Sequence, residues 1–280
     1  MAEYALASSV SGPTPTSLAL MDRLGLALDD AEQGTVAYQP DYQPPTLAVE
    51  RLICIPHGRT PSNQKLLFQS HDEGPNAALL PESFDDAAAG AAKFFETFGE
   101  RLTRRPSDFV FLRSPLLRTA QTAGVYAEIA KTTLGVASLA VAVAPGCVEI
   151  DHASWHGKSV AELEGDDARA AARYREGSFF AAPPPPGESN LEMLARCEAF
   201  LGELSERFPG KVVVCFGHGT FQNGLETLLQ SLPGTPSPAA VFTRKPGASH
   251  LRRGFPHDVF VAAGAGASSP EVGSARESAV

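Results

Sequence analysis

Metal-ligand spacing is missing from this sequence. Its four cysteines, Cys54, Cys147, Cys197 and Cys215, form no CxxC or comparable pair, which argues against a structural zinc or a metal cluster. Long apolar runs are also missing. Nothing approaches about 20 uninterrupted apolar residues, so no transmembrane span is expected. The N-terminus lacks the basic start and compact apolar block of a secretory signal. Basic residues are the minority, 23 Lys and Arg against 32 Asp and Glu, for a formal charge of −9. That balance argues against a broad nucleic-acid or anionic-membrane surface. It leaves room for a small basic pocket. Cys54 and Cys215 lie in apolar runs, which predicts reduced core thiols and a cytoplasmic location. No internal repeat is present.

The 280 residues are 43% apolar, enough for one large α/β domain or two small ones. Residues 1–48 mix Ser, Thr, Pro and Gly and read as a largely irregular arm, with one amphipathic helix inside 17–28. Residues 264–280 are rich in Gly, Ala and Ser and read as a flexible tail. Between them, 49–263 alternates. Short apolar runs at 52–55, 109–112, 137–144, 212–216 and 259–263 predict strands. Amphipathic spacing predicts helices at 84–102, 114–131, 158–176, 189–207 and 220–229. Ser114 is the expected cap of the second of these, with Pro115 at its first position. This alternation implies an α/β fold, a three-layer αβα sandwich with a mostly parallel central sheet.

Ligands of such folds sit beyond the carboxyl ends of the strands. The first strand is followed by Pro56-His57-Gly58-Arg59-Thr60, the second by Arg113-Ser114-Pro115-Leu116-Leu117-Arg118, and the 212–216 strand by Gly217-His218-Gly219-Thr220. Glu149 follows the third predicted strand. Two histidines, two or three arginines and a carboxylate thus converge on one rim. Each alone is more often a turn, core or solvated residue. Together they describe an anion pocket with a nucleophile and an acid.

These segments resemble the histidine phosphatase superfamily, in its phosphoglycerate mutase-like branch. LICIPHGRTPSN matches the opening strand and its Arg-His-Gly motif. SPLLRTAQTA matches the second arginine block, and VEIDHASWHG the block of the proton donor. PGESNLEMLAR matches the segment before the last strand of the site, with Glu188, Ser189 and Arg196 in register, and VVVCFGHGTF carries the second histidine. The resemblance spans about residues 50–263 and implies a phosphoglycerate mutase-like catalytic domain with a modest cap. It implies a metal-independent phosphomonoester hydrolase, with no cofactor, acting on a phosphorylated small molecule or phosphoprotein. His57 would become a phosphohistidine. Glu149 would protonate the leaving oxygen and then activate water. His218, protonated, would donate to the phosphate. Arg118 would bind two phosphate oxygens with its fork. Asn63, Gly58 and Gly219 would border the phosphate.

Two positions depart from the pattern. Pro56 stands where the family has its first arginine, which contacts the phosphate. Proline has neither charge nor N–H. Losing one such contact costs about 10²–10³ in rate. Arg59 or Arg113 is the expected replacement. His156 stands where the family often has Glu, and His152 and His156 read as surface residues. Two other functions stay open. In a mutase-type phosphotransferase a large cap must hold a bisphosphate, yet only 69 positions separate Glu149 from His218. The other is a pseudophosphatase that binds a phosphorylated partner. Phe179, Phe180 and the proline run 183–186 suggest a lid over a partly apolar leaving group. The sequence leaves the oligomeric state open.

Overall fold

The computed structural model describes residues 13–71, 73–234, 236–243, 251–263 and 265. In chain order its elements are α1 (Pro15–Arg23), β1 (Leu26–Asp30), β2 (Thr35–Tyr38), β3 (Arg51–Pro56), α2 (Pro61–Gln64), α3 (Pro81–Arg104), β4 (Phe109–Arg113), α4 (Leu117–Leu134), β5 (Val141–Val143), α5 (Gly165–Arg175), α6 (Asn190–Arg207), β6 (Val212–Gly217), α7 (Gly219–Leu229), α8 (Pro238–Phe242) and β7 (His257–Val261).

Five strands form the central sheet in the order β5-β4-β6-β3-β7. The first four are parallel and β7 is antiparallel to β3. Alternation along the strands sends side chains to two cores. Ile53, Ile55, Val212, Val214 and Phe216 join Phe94 and Phe98 of α3 and Tyr126 of α4. Leu52, Cys54, Val213 and Cys215 join Leu194 and Leu201 of α6 and Phe221 and Leu225 of α7. The sheet is therefore covered on both faces, the three-layer αβα arrangement expected from the sequence. Both central strands, β3 and β6, are buried along their whole length, which is why they read as unbroken apolar runs.

The segment expected as a loose arm is more ordered than its composition suggested. Over 13–48 it carries α1 and a β1–β2 hairpin. Met21, Leu24, Leu26 and Val36 are buried in the main core. Four apolar anchors spread over 16 positions gave no strong period, so only the helix was legible. Of the expected tail 264–280, all but Ala265 lies outside the described residues.

Two local readings change. The helix expected from 114 begins at Leu117, and Ser114 is not its cap. The carboxylate of Glu73 accepts the Leu117 N–H at 2.8 Å instead, an N-terminal cap supplied from a distant loop. The helix expected over 158–176 is split into a 3-10 turn at Val160–Glu162 and α5. Gly165, at φ +59°, sits at the break, in a conformation that favours glycine. The capping box of Ser189 and Glu192 does start α6, with Ser189 Oγ accepting from the Glu192 N–H at 3.2 Å.

The register brings three strand ends level. Pro56 pairs with Gly217, and Arg113 with Phe216. After β3 the chain turns to the α3 face, and after β6 it turns to the α7 face. Adjacent parallel strands whose connections leave toward opposite faces open a crevice at their carboxyl ends.

Candidate active site

The crevice is lined by His57, Asn63, Leu66, Leu67, Phe68, Gln69, Arg118, Glu149, His152, Tyr174, Arg175, Gly219, Thr220 and Arg253. His57 follows β3 and is held by two backbone bonds. Its N–H donates to the Gly217 carbonyl at 3.0 Å, extending the β3–β6 ladder by one residue. Its Nδ1 lies 2.7 Å from its neighbour's carbonyl, Gly58 O. A carbonyl only accepts, so Nδ1 carries the hydrogen and Nε2 keeps its lone pair. His57 is 3% exposed. Burial, then the nearby charges of Arg253 and Arg118, hold its pKa well below the usual histidine value. The ring is therefore held neutral in one tautomer, with a free lone pair on Nε2.

Pro56 fits this geometry. Successive N–H groups of a strand point to opposite sides. The His57 N–H faces β6, so the nitrogen of Pro56 faces β7. On that side pairing ends at Cys54 with His257, and the missing donor leaves no ladder bond unmade. The Pro56 carbonyl accepts the Gly254 N–H at 2.7 Å.

Arg118, in the first turn of α4, is fully buried. One Nη2 hydrogen goes to the Ser70 carbonyl at 3.1 Å. Its Nε and Nη1 are buried and have no acceptor among the described residues. Burial lowers its pKa to about 10, with Glu149 and Glu73 acting in the opposite sense, so it remains a cation at neutral pH. A buried guanidinium with two unspent donors on a crevice wall is built to receive an anion with more than one oxygen.

Glu149 is seated on the N-terminus of α7. Its Oε1 accepts from the Ile150 and Phe221 N–H groups at 3.0 and 3.2 Å, and its Oε2 from the Thr220 N–H at 3.3 Å. The helix end thereby fixes its orientation toward the crevice. The segment 188–196 clamps the loop that carries it. Arg196 Nε and Nη2 donate to the Glu188 carboxylate at 3.0 and 2.8 Å, and Nη1 donates to the Val148 carbonyl at 2.7 Å. The Glu188 N–H donates to the Asp151 carbonyl at 2.9 Å.

His218, like Arg118, is almost fully buried. It is 1% exposed, and its ring centroid lies 5.2 Å from that of His57. It does not line the crevice. Its Nε2 is 2.8 Å from Ser114 Oγ, and its Nδ1 is buried without a partner among the described residues. Burial, then the neighbouring Arg118, His57, His71 and Arg253, push its pKa well below the usual value. Burial and mostly positive neighbours therefore oppose the protonated state expected from the sequence.

The remaining expected residues divide. Asn63 lines the crevice and caps α2, its Oδ1 accepting from the Thr60 N–H at 3.2 Å. Gly219 lines it at the start of α7. Gly58 does not. Its N–H donates to Thr122 Oγ1 at 3.1 Å, and a Cβ there would lie 2.9 Å from that of Ser83. Arg59 and Arg113, expected to replace the missing arginine, are not brought to the crevice. Arg59 is exposed. Arg113 Nη1 donates to the Ser114 carbonyl at 3.0 Å. A residue at or near a strand end can face either side of the sheet, and sequence position alone could not choose.

Sequence reasoning missed several lining residues. Arg253 precedes β7 from a segment with no motif. His152, read as a surface residue, is 5% exposed and packs edge-on against Tyr174 at 5.4 Å. His156 Nδ1 accepts the Ser70 N–H at 2.9 Å, and Ser70 Oγ donates to Asp151 Oδ1 at 2.6 Å. Ser70 therefore ties Arg118 to the Asp151–His156 loop. Phe179, expected in a lid, is a core residue packed edge-to-face on Phe242. The outer rim comes instead from 66–69 and from Tyr174 and Arg175 of α5. Their only signal was proximity in space.

Among the described residues, no group of three or more His, Cys, Asp or Glu side chains could hold a metal ion. No helix among them is long and apolar enough to cross a membrane.

The family model described as the histidine phosphatase superfamily (branch 1) matches residues 52–240. A mannitol-1-phosphatase of Eimeria tenella is 32% identical over 138 residues, 49% of this chain and 41% of that protein. The chain thus spans about two fifths of that relative's length. Among solved structures, a mycobacterial glucosyl-3-phosphoglycerate phosphatase with VO3 is 26% identical at a TM-score of 0.50, covering 66% of this chain and 84% of the other. An Entamoeba histolytica phosphoserine phosphatase with 3-phosphoglyceric acid shares the fold at 21% identity and a TM-score of 0.51, covering 70% and 85%.

Proposed function

Because the chain belongs to the histidine phosphatase superfamily (branch 1), we propose that it hydrolyses a phosphomonoester through a phosphohistidine formed on His57. The observation that carries this reading is Arg118, a buried cation with two donors lacking acceptors among the described residues, in the same crevice as the His57 Nε2 lone pair.

The chemistry follows from those atoms. A phosphoryl group spreads charge over its equatorial oxygens, so catalysis is mostly positioning and fixed cationic donors. Arg118 Nε and Nη1 hold two oxygens. His57 Nε2 attacks phosphorus in line. The P–N bond forms as the P–O bond to the leaving group breaks, and Glu149 passes its proton to the departing oxygen. Water then attacks the phosphohistidine and gives a proton back to Glu149. Inorganic phosphate leaves and neutral His57 returns. A phosphate dianion opposes the positive surroundings that depress His218, so His218 takes up a proton as substrate binds and donates to an oxygen. No step calls on a metal.

The substrate is a phosphorylated small molecule. The crevice is lined by Asn63, Gln69, Tyr174 and Arg175 as well, polar groups suited to a polar leaving group. The mannitol-1-phosphatase and the glucosyl-3-phosphoglycerate phosphatase, by their names, act on phosphorylated polyhydroxy compounds.

The test is turnover of p-nitrophenyl phosphate by wild type and His57→Ala, with EDTA, from about pH 4.5 to 8. Metal-independent turnover that disappears in His57→Ala is the expected result. Equal turnover in the two proteins would remove His57 from the mechanism.

A further inference from the structure

The family's first arginine is absent, and neither Arg59 nor Arg113 reaches the crevice. Arg253 does. It lines the crevice with His57 and Arg118, and it is half-buried there.

The backbone beside Arg253 is fixed from three sides. The Gly254 N–H donates to the Pro56 carbonyl at 2.7 Å. The Gly254 carbonyl accepts from Tyr126 Oη at 2.7 Å. Helix α3 presses on the same peptide, because a Cβ added to Gly90 would lie 2.0 Å from that carbonyl. Gly254 has φ +78° and a Cβ there would lie 3.0 Å from Ala87 Cα, so the turn needs glycine twice over, for conformation and for space. The segment is therefore not a loose strap. It is bolted to the residue that replaced the arginine.

We propose that Arg253 contacts the phosphoryl group in place of the family's first arginine, carried into the site by the Gly254–Pro56 bond. The inference rests on the phosphomonoesterase reading above and adds a phosphate-binding residue to it. Its charge already reaches both imidazoles. Among the charges that depress His57 it acts more strongly than Arg118, and it also contributes at His218. A guanidinium brought from a different element can reach the same oxygens, because phosphate recognition needs donors at the right points and not a particular chain position.

The experiment compares wild type, Arg253→Met, Arg253→Lys, Arg252→Ala and the double variant Pro56→Arg/Arg253→Met. Turnover of p-nitrophenyl phosphate and calorimetric binding of inorganic phosphate are read for each. Arg252 is exposed, with its guanidinium over the Phe255 ring, so Arg252→Ala controls for a change of charge in the same segment. Arg253→Met should lower kcat/KM by about 10²–10³ and weaken phosphate binding, Arg253→Lys should lose less, and Arg252→Ala should match wild type. The double variant should recover at least tenfold over Arg253→Met, which a purely structural role for Arg253 would not allow. Arg253→Lys keeps the comparison open if the double variant fails to fold. Wild-type phosphate binding that persists unchanged in Arg253→Met would overturn this proposal and leave the site reading standing. Wild type that neither turns over nor binds phosphate would overturn both.

Discussion

Replacing Arg118 by methionine separates what the site costs from what it does. Without phosphate, Arg118 is a buried cation with a single close acceptor among the described residues, the Ser70 carbonyl at 3.1 Å. Exchanging such a charge for an apolar side chain of similar volume can stabilise by about 1–4 kcal/mol. Leaving the Ser70 carbonyl without its donor costs about 1–3 kcal/mol. The two effects have opposite sign. With about 2.1 cal/mol/K of unfolding entropy per residue over 280 residues, 1 kcal/mol moves the melting temperature by about 2 °C. Phosphate-free Arg118→Met should therefore melt within about 5 °C of wild type. Phosphate should then separate them. At 100 times its Kd a ligand stabilises by about 2.7 kcal/mol, which raises the wild-type melting point by about 4–5 °C. The variant should show no such rise. Its turnover should fall by at least about 10³, since two charged donors are lost at once. Thermal melts with and without phosphate, alongside p-nitrophenyl phosphate kinetics, test both halves. A variant that keeps the wild-type phosphate shift would refute the assignment of Nε and Nη1 as the anion's donors.

Two further outcomes follow from the same atoms. His57 and His218 are both held well below their usual pKa in the fold, whereas in the unfolded chain each titrates near about 6.5. The unfolded state then binds more protons as pH drops, so the stability these residues contribute is full above about 6.5 and is lost below it. The slope approaches about 1.4 kcal/mol per pH unit for each histidine. Melting of phosphate-free protein between pH 7 and 5 should show it, and His57→Asn should remove about half. A flat profile would mean that these rings are not held neutral. Glu149→Gln should reduce hydrolysis of an alkyl phosphate by about 10²–10⁴, with a smaller loss on p-nitrophenyl phosphate, whose leaving group needs no proton. Equal losses on the two substrates would deny Glu149 the role of proton donor.

The site was legible where chemistry is written next to a strand end. His57 and Gly219 directly follow or adjoin apolar runs, and Arg118 lies in the first turn of the helix after β4. Strand period and the rule that ligands lie beyond carboxyl ends suffice for these. The same logic misjudged Arg59 and Arg113. Both stand beside a strand end, yet one faces solvent and the other turns onto its own backbone. Direction at a strand end depends on the turn that follows, and that is set by packing. His152 was misread for a related reason, since nothing local marks a histidine that will lie against Tyr174.

By itself the sequence determined the layers of the fold, because fully buried parallel strands must be continuous apolar runs and their covering helices must be amphipathic. It also determined which imidazoles, carboxylate and first guanidinium could meet, because their spacing from those strands is fixed along the chain. Tertiary structure alone decided the rest. It decided that the N-terminal segment packs into the core, that Glu73 caps α4, and that Ser70 links Arg118 to the Asp151–His156 loop. It also decided that Arg253, 196 residues beyond His57, lines the crevice. Such contacts join residues with no common period or motif. Their cause is the sheet order, which sets β7 beside β3 and so bonds Gly254 to Pro56.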